Sequence, residues 1–333
     1  MPLYFVFDLI LLLLLVVVAL AIVRVKDLFA AVTLTGIYGL LSASFFVLMD
    51  AVDVAFTEAA VGAGVFPLLM LAVLAYVGRF ESSERKVRFS PLLLALFTLA
   101  TLFAVVPQIP AFGSADAPAH QHVAARYIEQ SPEEIGIPNM VTSILASYRG
   151  FDTLGEVLVI LTAAVGVMVL LIGTRRRVQP QEHPADDDMA DHKVLRIVGK
   201  MLIPLILIFS LYVQFHGEYG PGGGFQAGVI FAAAIILYAM LFGLNNAQQV
   251  IPLHIVRVLT ALGVLLYGSV GVAGLLAGGN FLDYSVLASN PVVGQHVGII
   301  LIELGVGITV AASMILIFFS FSLATRANGD QRS

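Results

Sequence analysis

Apolar residues in this chain come in long unbroken runs, without the alternation of a half-buried strand or the narrow stripe of a surface helix. Runs of about 17–25 residues match the roughly 30 Å hydrocarbon core of a bilayer at 1.5 Å per helical residue. The pattern predicts membrane-spanning helices near residues 3–23, 27–49, 54–77, 91–107, 152–173, 197–215, 224–243, 255–278 and 294–323. The expected fold is an all-α polytopic integral membrane protein with about nine transmembrane helices. Ala19-Leu20-Ala21 faintly resembles a signal-peptidase site, but no basic segment precedes the first run and a second span follows at once, so that run is expected to be retained.

The polar breaks orient and divide the chain. Arg24 and Lys26 follow the first run, Arg79, Arg85, Lys86 and Arg88 the third, and Arg175, Arg176, Arg177, Lys193 and Arg196 the fifth; Arg257 opens the eighth, and Arg326 and Arg332 follow the ninth. The alternate breaks hold Asp50, Asp53, the segment 108–151, a glycine-rich stretch and Asp283, so the positive-inside bias puts the N-terminus outside and the C-terminus in the cytoplasm. Segment 108–151, with a polar patch from His120 to Glu134, reads as an outer loop holding one short amphipathic helix near 119–130. Residues 174–196, where three arginines precede Asp186, Asp187 and Asp188, read as a solvated cytoplasmic linker. The expected modules are 1–88 with three spans, 89–173 with two, and 197–333 with four.

Composition fixes the class. With 59% hydrophobic and 12% charged residues, the 333-residue chain is far more apolar than a soluble domain. A net charge of −5 is too small and scattered to imply nucleic acid or anionic lipid. The absence of cysteine removes disulfides, thiolate metal sites and iron–sulfur ligation, and no cofactor is expected.

Between the sixth and seventh runs, the stretch from His216 to Gly228 holds six glycines and Pro221. Such a backbone cannot continue a helix without cost, and its open amides are tolerated at membrane depth only inside protein or against a wet cavity. Gly222, Gly223 and Gly224 are therefore expected to shape a cavity, either as a re-entrant segment or as a tight outer loop.

Ionisable groups within spans are functional candidates by default. Glu303 lies about nine residues into the last span, roughly 14 Å deep and close to the midplane. His296, Glu303 and Gly307 share one helical face, a spacing that suits a water-assisted proton or cation route. The alternative is a protonated Glu303 that merely bonds a neighbouring helix. Glu58 stands at the start of the third span among Ala59, Ala60, Gly62, Ala63 and Gly64, where another helix can approach closely; Pro67 then removes a backbone donor. The same carboxylate also fits an ordinary helix N-terminus, as does Glu156 behind Asp152. His216 could share a proton with Gln214 or Glu218, or be a satisfied interface histidine.

Three motifs together carry a family resemblance. The glycine stretch, followed by spans with Gly305 and Gly307 around Glu303, resembles the B subunit of Mrp-type multisubunit cation/proton antiporters. Asp53-Val54-Ala55-Phe56-Thr57-Glu58 through Gly64 resembles the three-span module near the C-terminus of that family's A subunit. Tyr148-Arg149-Gly150-Phe151-Asp152 through Glu156 resembles the two-span module that follows it. Related small subunits occur in membrane-bound hydrogenases. One departure is Gly217-Glu218-Tyr219-Gly220, where Glu218 adds a carboxylate.

The resemblance implies a transporter subunit of the prokaryotic cell membrane, not an enzyme, exchanging Na+ for H+ beside Glu58, Glu156, Glu303, His296 and His216, with Na+ near Glu58 and Glu156. The buried lysines of the family's proton-pump module are missing from these spans, so the partners implied are other antiporter subunits that supply the pumping helices. Two alternatives stay open: a membrane-arm subunit of a hydrogenase-like redox complex, and a structural spacer in which the glutamates tolerate glutamine.

Overall fold

The structure is a computed structural model describing residues 2–81, 89–111, 113–175 and 192–329. Arg85, Lys86, Arg88, Arg176, Arg177 and Asp186 to Asp188, which carry part of the loop-charge pattern and most of the expected linker, lie outside the described residues.

Among the described residues, nine helices are long and apolar enough to cross a bilayer. They are α1 (Pro2–Arg24), α2 (Leu28–Leu48), α3, α4 (Phe89–Val105), α5 (Gly150–Arg175), α6 (Lys193–His216), α7 (Gly224–Phe242), α8 (Leu253–Leu276) and α9 (Pro291–Gly329). The third is composite: Val52–Glu58 passes into a π-helical segment, Ala59–Val65, and then into Phe66–Val77. No strand forms among the described residues beyond one isolated bridge between Asp27 and Phe80. Beside that bridge Asp27 caps α2 by accepting from Phe29 N at 3.0 Å, and it pairs with Arg79 at 2.7 Å, which closes the α2–α3 hairpin.

The last helix is the hub, packing against α3, α5, α6, α7 and α8. Lipid removes the hydrophobic drive between helices, so close backbone approach and dense packing must hold them together. Small residues provide the approach. A Cβ at Gly224 would lie 2.9 Å from Gly307 N, and one at Gly228 would lie 3.0 Å from Ala311 N, so α7 crosses α9 with backbones nearly touching. On the opposite side of α9 a Cβ at Gly263 of α8 would lie 2.8 Å from Thr309 N. Ile299, Ile302, Leu316 and Phe319 fill the spaces between these crossings and are wholly buried. In contrast, α4 buries no residue, and no side chain described in α1 is buried either. Both helices present apolar surface to lipid or to other protein.

Segment 108–151 differs from the single amphipathic helix expected there. Several short helices form instead, the first two being Pro118–Gln121 and Ala124–Glu129, separated where His122 leaves helical geometry at ψ −88°. From Ser131 onward the segment turns inward: Ile135 and Ile137 are buried in the main core, and the hydroxyls of Ser131 and Ser143 bond to each other. A second π-helical segment, Ser143–Tyr148, leads into α5, whose start is pinned by Tyr267 Oη donating to Gly150 O at 2.7 Å. This inward fold brings the loop onto the glycine stretch.

Candidate functional site

The glycine stretch forms a tight turn between α6 and α7. Gly223 takes φ +112°, which L side chains rarely adopt, and its N–H donates to Val213 O at 3.1 Å. The turn is roofed by Asn139 and Thr142. Asn139 Nδ2 approaches Gly220 O at 2.9 Å, Gly217 O at 3.2 Å and Asp53 Oδ1 at 3.2 Å, while Thr142 Oγ1 donates to Gly217 O at 2.6 Å. One buried amide thus ties α3, the inward loop and the turn together, and satisfies carbonyls that lipid could not.

Beneath this roof, Glu303 accepts the backbone N–H of Gly224 through Oε2. The first turn of a helix carries unpaired N–H groups and a partial positive charge, so it holds an anion or a hydrogen-bonded acid in place. Glu303 lies twelve residues past Pro291, about 18 Å along α9. It stands level with the first residue of the 19-residue α7.

Glu303 lines two cavities. The larger, about 230 Å³, is bounded by Asp53 and Thr57 of α3, Thr153 and Glu156 of α5, and Gly222 and Gln226 of the turn and α7. Gln226 Nε2 donates to Thr57 Oγ1 at 2.8 Å across it. The smaller, about 50 Å³, lies between Glu303, Glu218, Gln214 and Thr142. The second π-helical segment borders the larger cavity through Leu145, whose O accepts from Thr153 Oγ1 at 2.7 Å, and the first begins two residues after Thr57. Single π turns inside helices recur at functional sites because they displace carbonyls from the regular ladder.

Of the residues named from the sequence, Glu156 and Glu303 face the same cavity with Gly222 in its wall, and Gly223 and Gly224 lie against Glu303. His296 reaches the site through Glu218, its Nδ1 lying 3.1 Å from Glu218 Oε2. Glu58 is not in the cavity wall; its carboxylate folds over Gly62, where α2 crosses and a Cβ at Gly39 would meet the Gly62 backbone. His216 stacks on Tyr212, ring centroids 4.9 Å apart, on the outer side of the turn and away from Glu303. Pro67 packs beside Gly36 of α2, and the backbone irregularity precedes it as the π segment, with Phe66 N donating to Val61 O. Among the described residues no group of three or more His, Asp or Glu side chains is placed to hold a metal ion.

Asp53, Thr57, Gln226, Asn139 and Glu218 were not singled out as site residues by the sequence. The i, i+4 spacing of Asp53 and Thr57 was a usable signal, since it sets both on one face. Glu218 stood out in the sequence as an extra carboxylate beside His216, but nothing local pointed to His296 as its partner, and Asn139 gave no local signal because its partners are distant in the chain.

Comparison with known proteins gives three successive family matches: residues 13–79 to MbhD and residues 92–189 to MbhE, both subunits of MBH, and residues 194–316 to a domain related to the MnhB subunit of Na+/H+ antiporter. A probable K+/H+ antiporter A/B subunit of Rhizobium meliloti (strain 1021) is 28% identical over 323 residues, covering 88% of this chain and 32% of that protein. A putative antiporter subunit mnhB2 of Staphylococcus aureus (strain Newman) is 34% identical over 132 residues, 39% of this chain and 93% of that protein. Among solved structures, a chain of the Mrp complex from Dietzia sp. DQ12-45-1b superposes with TM-score 0.69 at 28% identity, covering 92% of this chain and 34% of that one. A chain of the membrane-bound sulfane sulfur reductase, an archaeal respiratory membrane complex, matches with TM-score 0.52 at 28% identity, covering 70% of this chain and 98% of that one. The present chain thus spans about a third of the length of its Rhizobium relative and of the Dietzia chain. It belongs to the family of Mrp-type antiporter subunits, as a multi-pass protein of the prokaryotic cell membrane that joins modules of the A subunit's C-terminal part to a B-subunit domain.

Proposed function

We propose that this chain is the part of a multisubunit antiporter in which a monovalent cation meets the proton it is exchanged for. The observation that supports this is the shared cavity: Glu156 and Glu303, from separate modules, line one space together with Asp53, Thr57 and Gln226. A carboxylate in such a space either holds a cation or is protonated, and alternation between the two states couples the ions. Glu58, just outside the wall on α3, is the next carboxylate on the cation's way toward α2. The expected cation is Na+; K+ is the alternative that the Rhizobium relative's name raises. The N-terminus is outside and the C-terminus cytoplasmic. The pumping helices come from partner subunits, so the chain serves in transport and is not an enzyme.

The test is cation-driven proton flux in vesicles carrying the assembled complex, run with Na+ and with K+. Glu303→Gln is expected to abolish flux with assembly intact, and normal flux would remove Glu303 from the mechanism. A second reading, a membrane arm of a redox complex, is favoured by the match to the sulfane sulfur reductase chain along 98% of its length. Iron–sulfur or nickel subunits encoded beside this chain would support that reading, and a neighbourhood of small membrane subunits alone would oppose it.

A further inference from the structure

Besides the large cavity, Glu303 borders a second polar feature that the cation's passage does not use. Glu218 in the glycine turn sets Oε2 3.1 Å from His296 Nδ1, with side-chain exposures of 14% and 33% respectively. Its other oxygen, Oε1, is buried without a partner. A buried carboxyl oxygen left unpaired costs its desolvation, so its retention calls for a reason. Glu218 and Glu303 line the same cavity of about 50 Å³, which has room for water.

We propose that the Glu218–His296 pair is a proton-loading site that exchanges protons between the exposed edge of His296 and Glu303 through this small cavity, apart from the cation's route through the larger one. The groups facing Glu218 are few. On α9 they are His296 and Glu303; from the inward loop come the neutral Asn139, whose N–H donates to Glu218 O at 3.0 Å, and Thr142 across the cavity; from α6 comes Gln214. In its own turn, the ring of His216 lies between those of Tyr212 and Tyr219 and pairs with both. The transfer balances simply. An imidazolium at His296 gives its Nδ1 proton to Glu218 Oε2 and becomes neutral. The carboxyl turns about its soft terminal torsion, presents its O–H to the cavity, and passes the proton through water to Glu303. Glu218 is again a carboxylate, and His296 takes its next proton from solvent; the reverse sequence unloads Glu303.

This inference rests on Glu303 carrying protons, and the experiment separates the two. Cation-driven proton flux is measured from pH 5.5 to 8.5 in vesicles with the complex carrying Glu218→Gln, Glu218→Asp, His296→Gln or Glu303→Gln. Glu218→Gln and His296→Gln are each expected to cut flux by about tenfold and to flatten the limb of the pH profile near neutrality, a loss typical of removing one proton-transfer group. Glu218→Asp is expected to restore part of both, and the double glutamine variant should be no worse than either single one. Should Glu218→Gln prevent assembly, His296→Gln, at a partly exposed position, decides alone. Wild-type flux and pH profile in His296→Gln, with Glu303→Gln inactive, would overturn the loading site and leave the transport reading standing. Normal flux in Glu303→Gln would overturn both.

Discussion

Glu303 and Gly224 meet across 79 positions of sequence, the carboxylate of one accepting the backbone N–H of the other. The bond is possible only because the glycine has no side chain: a Cβ there would run into Glu303 O, Val306 and Gly307 N. Gly224→Ala is therefore expected to push α7 off α9 and to destabilise the complex by about 1–3 kcal/mol, the usual cost of overpacking. A lower thermal midpoint of the purified complex is the readout, and an unchanged midpoint would contradict the crossing.

Asn139→Ala removes the amide that binds Gly217 O and Gly220 O under the inward loop. Gly220 O then loses its donor, at about 1–3 kcal/mol, while Gly217 O keeps that of Thr142. Faster hydrogen exchange confined to residues 213–228 and 139–143 is expected, because the roof loosens while the long helices persist. Unchanged exchange there would show that Thr142 alone holds the turn.

The nine spans were readable from apolar run lengths because lipid leaves a chain few options. Every backbone group must be paired within the segment, so a run of sufficient length is a helix. The stretch at Gly222–Gly224 was readable for a similar reason. The two π segments were not, since one extra residue in a helical turn leaves no composition signal in Ala59–Val65 or Ser143–Tyr148. Nor could the sequence choose a partner for Glu218: His216, two residues away, is the obvious candidate, yet its ring is taken by Tyr212 and the bond goes to His296. The inward turn after Ser131 was hidden by the polarity of the residues before it, which read as solvated throughout.

Cavity membership separates the glutamates. Glu156→Gln is expected to raise the cation concentration for half-maximal flux by about tenfold, roughly 1.4 kcal/mol, if one carboxylate in the wall of the larger cavity supplies the cation's charge. Glu58→Gln, outside the wall, is expected to shift it less. Equal shifts would mean that the route bends further toward α2 than the cavity does.

The inward loop has its own pH window. Tyr148 donates to Glu134, and Arg126 lies 3.0 Å from the same carboxylate, so Glu134 sits below its ordinary pKa of 4.5. A lowered folded pKa gives stability that is present above the ordinary value and lost as pH falls through the folded one. Burial and the same contact push Tyr148 up to about 12, so its share is present below pH 10 and lost as pH rises toward 12. Proteolytic protection of residues 118–148 is thus expected to hold from about pH 5 to 10 and to weaken on either side. Glu134→Gln should remove the acid limb; an acid limb that survives would place its origin elsewhere.

The most direct test of charge passing beside Glu303 is a map of the intact complex at a resolution that shows water. Ordered water joining Glu156, Thr57 and Glu303 in the larger cavity, and reaching Glu218 through the smaller one, is the result expected. Apolar side chains or a lipid tail packed dry against both carboxyls would contradict it.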